Sequence, residues 1–209
     1  ETGNENNRND ILTNLGHLYR ATDNSDFTCL YNFCGSSHLE EMGTFADNFV
    51  MDVTDRKLIG NYYLVNGYPN IDKMGTHLKC LTSNSCLCNI YYMLFSRPTS
   101  NDPWINFAYN VDYNVNVSGS AERYEIEGPT LPLQHGVQVA FMTGWSCDGL
   151  DMVEYYQSEV PLGSETSLIG ERLGTLYSDH FLTNPNNISF TVNNSEWAFM
   201  QQFYVTVLE

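Results

Sequence analysis

Basic residues are scarce in this sequence. It contains 9 Lys and Arg against 25 Asp and Glu, which gives a formal net charge of −16 at pH 7. A field of that sign repels the phosphate backbone of nucleic acids and anionic membrane surfaces. We therefore expect no nucleic-acid partner. The excess of acidic residues would attract cations, or would serve solubility alone.

Long apolar runs are also absent. No stretch of the sequence approaches the roughly 20 apolar residues that a membrane-spanning helix needs, so we expect no membrane span. The chain should then be a soluble secreted product or an ectodomain. Its 209 residues are enough for one large all-β domain or two small ones, and no internal repeat or interdomain linker divides them. We expect a single domain.

Motifs for catalysis and for metal or phosphate binding are missing. The segment Gly144-Trp145-Ser146-Cys147-Asp148-Gly149 lacks the glycine two residues after the serine that a nucleophile elbow needs. No Gly-rich phosphate loop occurs, and the histidines have no metal-ligand spacing; they are His17, His38, His77, His135 and His180. These absences predict that the protein is no enzyme and carries neither a cofactor nor a metal.

Six cysteines and three Asn-x-Ser sequons, at Asn116, Asn187 and Asn193, indicate a secreted, extracellular glycoprotein with disulfides. Cys86 and Cys88 are too close to bridge each other comfortably. Each is expected to reach one of the other four, and the arrangement stays open among Cys29, Cys34, Cys80 and Cys147. Oxidised pairs are favoured over a metal site at these cysteines.

Alternation of apolar and polar residues with a period of two predicts an all-β, antiparallel fold. It is most regular from Ile105 to Val117. The predicted strands cover 58–65, 77–82, 89–95, 105–117, 123–127, 137–143, 152–159, 188–192 and 197–208. Strands with one apolar face must enclose a packed core or a cavity, and a barrel of about eight strands is just wide enough to hold a small ligand.

The domain prediction has three parts. Residues 1–3 resemble the remnant of an expression vector and are set aside, residues 4–57 form an N-terminal extension, and residues 58–209 form the β domain. Apolar residues at helical spacing predict a helix from Ile11 to Tyr19 in the extension and a second one near 164–178, which Gly170 and Gly174 weaken.

Two groups of short motifs resemble the lipocalins secreted in tick saliva. Asn61-Tyr62-Tyr63-Leu64-Val65, a turn through Asp72 and Gly75, and Leu78-Lys79-Cys80-Leu81 are similar to that family's first two strands. Tyr124-Glu125-Ile126-Glu127-Gly128 and Val139-Ala140-Phe141-Met142, leading into Trp145-Ser146-Cys147-Asp148, follow the order of its later strands. The similarity covers roughly residues 58–155. The family's usual disulfides cannot form here, since no cysteine follows Cys147.

This resemblance implies an antiparallel barrel that binds small host mediators such as histamine, serotonin, leukotrienes or sterols, and some members bind complement or immune cells. A buried ammonium needs a carboxylate partner and gains from facing aromatic rings. With many aromatic and acidic residues and few basic ones, the composition favours an amine over a fatty acid. The candidate ligand-binding residues are Tyr62, Tyr92, Trp104, Phe107, Tyr109, Tyr113, Tyr124, Glu127, Phe141 and Trp145.

On two strands, the alternation of apolar and polar residues predicts which side chains point into the interior. On the strand at 105–117 the side chains expected to point inward are Phe107, Tyr109, Val111 and Tyr113, unless a bulge reverses the register. On the strand at 123–127 the inward pair should be Tyr124 and Ile126, with the glutamates in solvent.

Two functions are consistent with these features. The first is a secreted lipocalin-like protein that sequesters a small host mediator, a biogenic amine or else a lipid, to modulate host defence. The alternative is an immune-evasion protein that binds a host cytokine, complement component or receptor through its surface. A capture protein needs an internal cavity, whereas an interaction protein can fill its interior and expose an apolar patch.

Overall fold

The computed structural model describes residues 37–42, 49–53, 58–148, 151–164, 167–178, 188–193 and 196–207. The chain divides into two units, and all of these residues belong to the unit Ser37–Val207. The other unit, Glu1–Ser36 with Leu208–Glu209, lies outside the described residues. The predicted helix from Ile11 to Tyr19 falls there, as do Cys29 and Cys34.

The described residues form strands and no helix. Every pairing is antiparallel. The strands are β1 Ser37–Met42, β2 Phe49–Val53, β3 Leu58–Val65, β4 Pro69–Cys80, β5 Ser85–Arg97, β6 Ile105–Ser118, β7 Glu122–Pro132, β8 Gln138–Cys147, β9 Val153–Glu159, β10 Gly170–Ser178, β11 Thr191–Asn193, β12 Trp197–Phe199 and β13 Gln201–Val207. The prediction of an all-β antiparallel fold is confirmed.

The strands form two sheets. The six-stranded sheet has the order β11-β10-β3-β8-β5-β6. The seven-stranded sheet has the order β1-β13-β4-β9-β12, with β7 also paired to β4 and β2 to β9. β1 and β2 lie in the segment that the sequence assigned to an N-terminal extension, and they pair with β13 and β9.

The two sheets remain separate ladders over the described residues, so the expected closed barrel is not formed there. The reason lies at the connection between β6 and β7. A short turn joins these strands, but β6 pairs with β5 in one sheet and β7 pairs with β4 in the other. The hairpin that would continue a barrel instead crosses from one sheet to the other.

The space between the sheets is filled by large side chains. Tyr63 on β3 and Phe141 on β8 meet Phe203 on β13, and all three are almost completely buried. The ring centroids of Phe141 and Phe203 are 4.6 Å apart, and those of Tyr63 and Phe203 are 6.1 Å apart. Each such pair contributes roughly 0.5 to 1.5 kcal/mol beyond the burial of its area. Aromatic packing therefore holds the sheets together.

A pair of buried amides adds hydrogen bonds between the sheets. Asn61 Nδ2 on β3 donates to Phe199 O at 2.9 Å and to Gln201 Oε1 at 2.8 Å, and Phe199 N donates to Asn61 Oδ1 at 3.0 Å. Gln201 Nε2 in turn donates to Phe141 O at 2.9 Å. Since both amides are partnered at their oxygen and nitrogen, their burial is compensated.

The six-stranded sheet is also buried on its outer face, where a second apolar cluster lies. The cluster contains Leu58, Tyr62, Met93, Phe95, Ala140, Met142 and Leu176, and the side chains packed on it include Trp104, Leu173, Ile188 and Phe190. A strand that is covered on both faces reads as an almost continuous apolar run. This explains the sequence of β3, Leu-Ile-Gly-Asn-Tyr-Tyr-Leu-Val.

The predicted helix near 164–178 is wrong, because Gly170–Ser178 is strand β10. Gly170 has φ 145° and Gly174 has φ 143°, values that a helix cannot contain and that L side chains rarely adopt. The register shifts between Arg172 and Gly174, and a Cβ on Gly170 would lie 2.0 Å from Leu64 O. The glycines that weakened the helix prediction are thus required by the strand and its bulge.

Two disulfides agree with the sequence analysis. Cys86 bridges to Cys80 and Cys88 bridges to Cys147, with Cα–Cα distances of 5.5 Å and 4.0 Å. As expected, Cys86 and Cys88 use different partners. Cys88 and Cys147 lie opposite each other in the β5–β8 ladder. The described part of the chain holds no helix that is long and apolar enough to cross a membrane.

Candidate functional site

Strand β6 lies at the edge of the six-stranded sheet and presents large apolar side chains to solvent. The exposed fractions are 38% for Phe107, 47% for Tyr109 and 65% for Tyr113. These three residues were expected to face inward together with Val111, which is half-buried. That prediction is wrong, because β6 packs against the other sheet with Ala108 and Val117, which are buried.

The register of β6 on β5 explains the reversal. Tyr109 lies opposite Met93, and Met93 belongs to the outer apolar cluster. A bulge follows at Asn114, whose φ is 58°, and beyond it Val117 turns inward opposite Cys86. The apolar residues of β6 therefore face outward before the bulge and inward after it, although they alternate without interruption in the sequence. The sequence pattern predicted the strand correctly, but it predicted the wrong face of the strand for the core.

We call Phe107, Tyr109 and Tyr113 the ring strip. Its three rings together expose roughly 300 Å² of surface, if a fully exposed ring presents about 200 Å². The ring of Tyr91 lies beside it, 6.4 Å from that of Tyr109 between centroids. Partial burial raises the pKa of the Tyr109 hydroxyl, and the neighbouring hydroxyls of Tyr113 and Tyr91 raise it further. That hydroxyl is therefore uncharged at neutral pH.

Three of the ten predicted binding residues are buried between the sheets, where they contact other protein groups. Tyr92 Oη donates to Tyr124 O at 2.9 Å, and burial raises the pKa of this hydroxyl, with the charges of Asp112 and Glu125 adding to the effect. The rings of Trp145 and Tyr155 contact each other at a tilt, with centroids 5.6 Å apart. Phe141 lies in the aromatic contact described above.

Tyr124 and Glu127 lie on β7. Tyr124 packs against the core, as expected, and its hydroxyl accepts a hydrogen bond from Ser118 N at 2.7 Å. Glu127 points to solvent, with its side chain 83% exposed, and pairs with Lys73 at 3.3 Å. The prediction that the β7 glutamates face away from the core is confirmed for Glu127.

Tyr62 and Trp104 meet on the outer face of the six-stranded sheet. Their rings are 5.9 Å apart in an edge-to-face arrangement, and the Arg97 guanidinium lies 4.3 Å from the centre of the Trp104 ring. Arg97 Nε also donates to Gln138 Oε1 at 2.7 Å. The ten predicted residues are thus divided between the interior, the outer cluster, the β7 surface and the ring strip, and do not line one common cavity.

A polar pocket of about 300 Å³ lies at one end of the sheets, where the β4–β5 turn meets the β6–β7 turn. Its lining includes Lys79, Cys80, Ser83, Asn84 and Ser118. Lys79 is paired with Glu154 at 3.4 Å, and the hydroxyl of Ser83 donates to Ser85 O at 2.6 Å. The lining is polar, unlike the mostly apolar walls of small-molecule sites.

Among the described residues, no three His, Cys, Asp or Glu side chains are grouped so that they could hold a metal ion. Two of the three sequon asparagines, Asn116 on β6 and Asn193 on β11, are exposed. Asn187 lies outside the described residues. Asn116 is placed opposite Leu87, near the Tyr113 end of the ring strip.

No family model matches the chain, and no curated protein matches it. A chain in the structure of infectious bursal disease virus, Gt strain, is similar with a TM-score of 0.33 and 6% sequence identity. The match covers 83% of this chain and 42% of that chain. A TM-score this low carries no argument about fold or function, and the resemblance to tick lipocalins gains no support from these comparisons.

Proposed function

We propose that this protein is an extracellular binding protein that holds a protein partner against the ring strip. The observation that carries the proposal is the exposure of Phe107, Tyr109 and Tyr113 side by side on one strand. Interface centres are rich in aromatic residues and poor in charged ones. Tyrosine also supplies large contact area at a low cost in conformational entropy.

The size of the strip suits the centre of an interface. A standard protein–protein interface buries about 800 Å² on each partner, and the strip's roughly 300 Å² would form its apolar core. The largest apolar patch on an ordinary monomer is of similar area and is often functional. Polar residues beside the strip, such as Asn89, would supply the rim.

The extracellular location rests on the covalent chemistry. Disulfides persist in oxidising compartments, and the structure contains Cys80–Cys86 and Cys88–Cys147. Asn116 and Asn193 are exposed and lie in Asn-x-Ser sequons, so both can accept glycans on the secretory route. The partner classes in this proposal are those of the immune-evasion hypothesis: a host cytokine, complement component or receptor.

The small-mediator hypothesis depends on a cavity lined by the predicted aromatic residues. Tyr92, Phe141 and Trp145 are at most 5% exposed and contact neighbouring side chains or backbone. The surface mode is therefore the better supported one. A lipocalin-like barrel that captures an amine or a lipid is the alternative, and the same set of experiments tests it.

The test of the proposed function is a binding screen against recombinant cytokines, complement components and receptor ectodomains by surface plasmon resonance. We expect a partner whose affinity falls about 100-fold or more in the variant Tyr109→Ser/Tyr113→Ser, since two central aromatic anchors are removed. The matched control is Tyr68→Ser, because Tyr68 is 64% exposed and lies in the β3–β4 turn, outside the strip.

Native mass spectrometry supplies the second arm. The protein is mixed with histamine, serotonin or a lipid extract, and we expect no retained molecule at micromolar concentration. A partner that binds the double variant as tightly as wild type would contradict the proposed site. Retention of an amine or a lipid without any protein partner would replace the proposal with the small-mediator function.

A further inference from the structure

Several backbone groups of β6 that could pair with another strand already have side-chain partners. Val111 N is bonded to Asn110 Oδ1 at 2.9 Å, and Ser118 N is bonded to Tyr124 Oη at 2.7 Å. The Tyr124 hydroxyl also donates to Asn116 O at 3.4 Å. These groups use side chains as partners in place of a further strand, which protects an edge against β-addition.

Two bulges interrupt the edge as well. The first lies at Phe107, where the Asn106 amide donates to Leu94 O at 3.1 Å and to Ala108 O at 3.0 Å. The second lies at Asn114, whose N–H donates to Asn89 Oδ1 at 3.0 Å. Bulges twist an edge strand and break its row of backbone groups. The side-chain face of β6 is therefore better suited to a partner than its interrupted backbone edge.

Among the described residues, two acidic side chains of β6 and β7 are unpaired, whereas Arg97 and Arg123 near β6 are engaged. Arg97 covers Trp104, and Arg123 pairs with Glu125 at 2.8 Å. In contrast, Asp112 on β6 and Glu122 at the start of β7 are exposed and enter no ion pair among the described residues. Asp112 lies opposite Ile90 of the core, so it projects from the face of β6 that is turned away from the ring strip and adds only to the general field. The whole chain carries a formal net charge of −16 at pH 7.

This combination favours one kind of occupant. A second copy of the chain would be repelled by its like charge, whereas a positively charged protein would be attracted and steered toward the strip. On the proposed function above, we infer that the partner is a cationic protein that packs its side chains onto the face of the ring strip and leaves the backbone edge of β6 unused.

Three synthetic peptides of about 11 residues test this inference, since that length matches an extended segment lying along β6. The first alternates Phe with Lys, the second alternates Phe with Glu, and the third is the Lys peptide with alternate backbone nitrogens methylated. N-methylation removes the donors that pairing with an edge strand requires. Binding is measured by fluorescence anisotropy, at low salt and at about 0.3 M salt, where surface charges are screened.

We expect the Lys peptide to bind about tenfold or more tightly than the Glu peptide, with a difference that shrinks at high salt. The methylated Lys peptide should bind within about threefold of the unmethylated one, because no backbone pairing is involved. Tyr109→Ser/Tyr113→Ser should weaken every peptide that binds, and Tyr68→Ser should weaken none.

The possible failures are distinguishable. Equal binding of the Lys and Glu peptides, loss of binding on methylation, or no measurable binding of the Lys peptide would overturn the inference while leaving the ring strip as the proposed docking site. Lys-peptide binding that is unchanged in Tyr109→Ser/Tyr113→Ser would instead contradict the proposed function itself, because the attraction would then be independent of the strip.

Discussion

Asn61 is a polar residue at an inward position of β3, where the other inward residues, Ile59, Tyr63 and Val65, are apolar. Its amide bonds to Phe199 O, Phe199 N and Gln201 Oε1 across the space between the sheets. Asn61 and Gln201 are polar residues at inward positions of two strands, and the sequence can show that each needs a buried hydrogen-bond partner. Their partnership is not visible there, because 138 to 140 residues separate the bonded groups.

The Asn61 contacts give the first stability prediction. Asn61→Ala should lower the free energy of unfolding by about 3 kcal/mol, because it leaves Phe199 N and Phe199 O buried without their side-chain partner and removes one hydrogen bond to Gln201 Oε1. Urea denaturation at neutral pH measures the change. The control is Asn101→Ala at an exposed loop position, which should shift stability by less than about 0.5 kcal/mol. Equal effects at both positions would contradict a role for this contact.

The backbone at Gly170 gives the second prediction. Gly170→Ala should destabilise the protein by about 3 kcal/mol or more, since the new Cβ would meet Leu64 O at 2.0 Å and φ is 145°. Gly136→Ala is the matched control: its φ is 79°, but a Cβ there has no neighbour within 4 Å. That change should cost only about 1 kcal/mol of backbone strain. A larger loss at Gly136 than at Gly170 would be inconsistent with the strand geometry.

Strand β6 shows that the alternation of apolar and polar residues predicts the bounds of a strand better than it predicts which side chains face the core. The sequence predicted residues 105–117, and the strand is Ile105–Ser118. The facing was wrong because a bulge changes which face a side chain takes. Asn114 tolerates the positive φ of this bulge, but strand β6 contains several other asparagines, so the sequence does not show where the bulge lies. β3 was predicted with its observed bounds. Because it is buried on both faces, its residues form a nearly continuous apolar run, and the prediction does not depend on which face points inward.

The corrected facing of β6 can be tested without knowing any partner. Tyr109→Ser should change the free energy of unfolding by no more than about 1 kcal/mol, because the ring is half exposed on an edge strand. Phe141→Ala should cost about 3 to 5 kcal/mol, because that ring is completely buried between the sheets. Both values come from urea titrations followed by tryptophan fluorescence. A loss at Tyr109 as large as that at Phe141 would restore the inward assignment.

Whether the strands of the described unit close into a barrel could not be predicted from the sequence. Alternating strands with one apolar face are required both by a barrel and by two facing sheets. The choice is made where β6 and β7 pair with different neighbours, β5 and β4. The apolar residues of the ring strip then fall on an outer face, so the same pattern that indicated an internal ligand site in a barrel produces a surface site in two sheets.

The two disulfides among the described residues constrain the fold to different degrees. Cys88–Cys147 spans a sequence separation of 59, whereas Cys80–Cys86 spans 6. On the loop-entropy account, closing the longer loop stabilises the fold by about 4 kcal/mol and closing the shorter one by about 2 kcal/mol. Cys88→Ala/Cys147→Ala should therefore lower the midpoint of thermal unfolding more than Cys80→Ala/Cys86→Ala does. Circular dichroism melts of the two double variants, with both losses measured against wild type, make the comparison. An equal or reversed order would show that packing around the shorter loop, where the β4–β5 turn meets the β6–β7 turn, outweighs chain entropy.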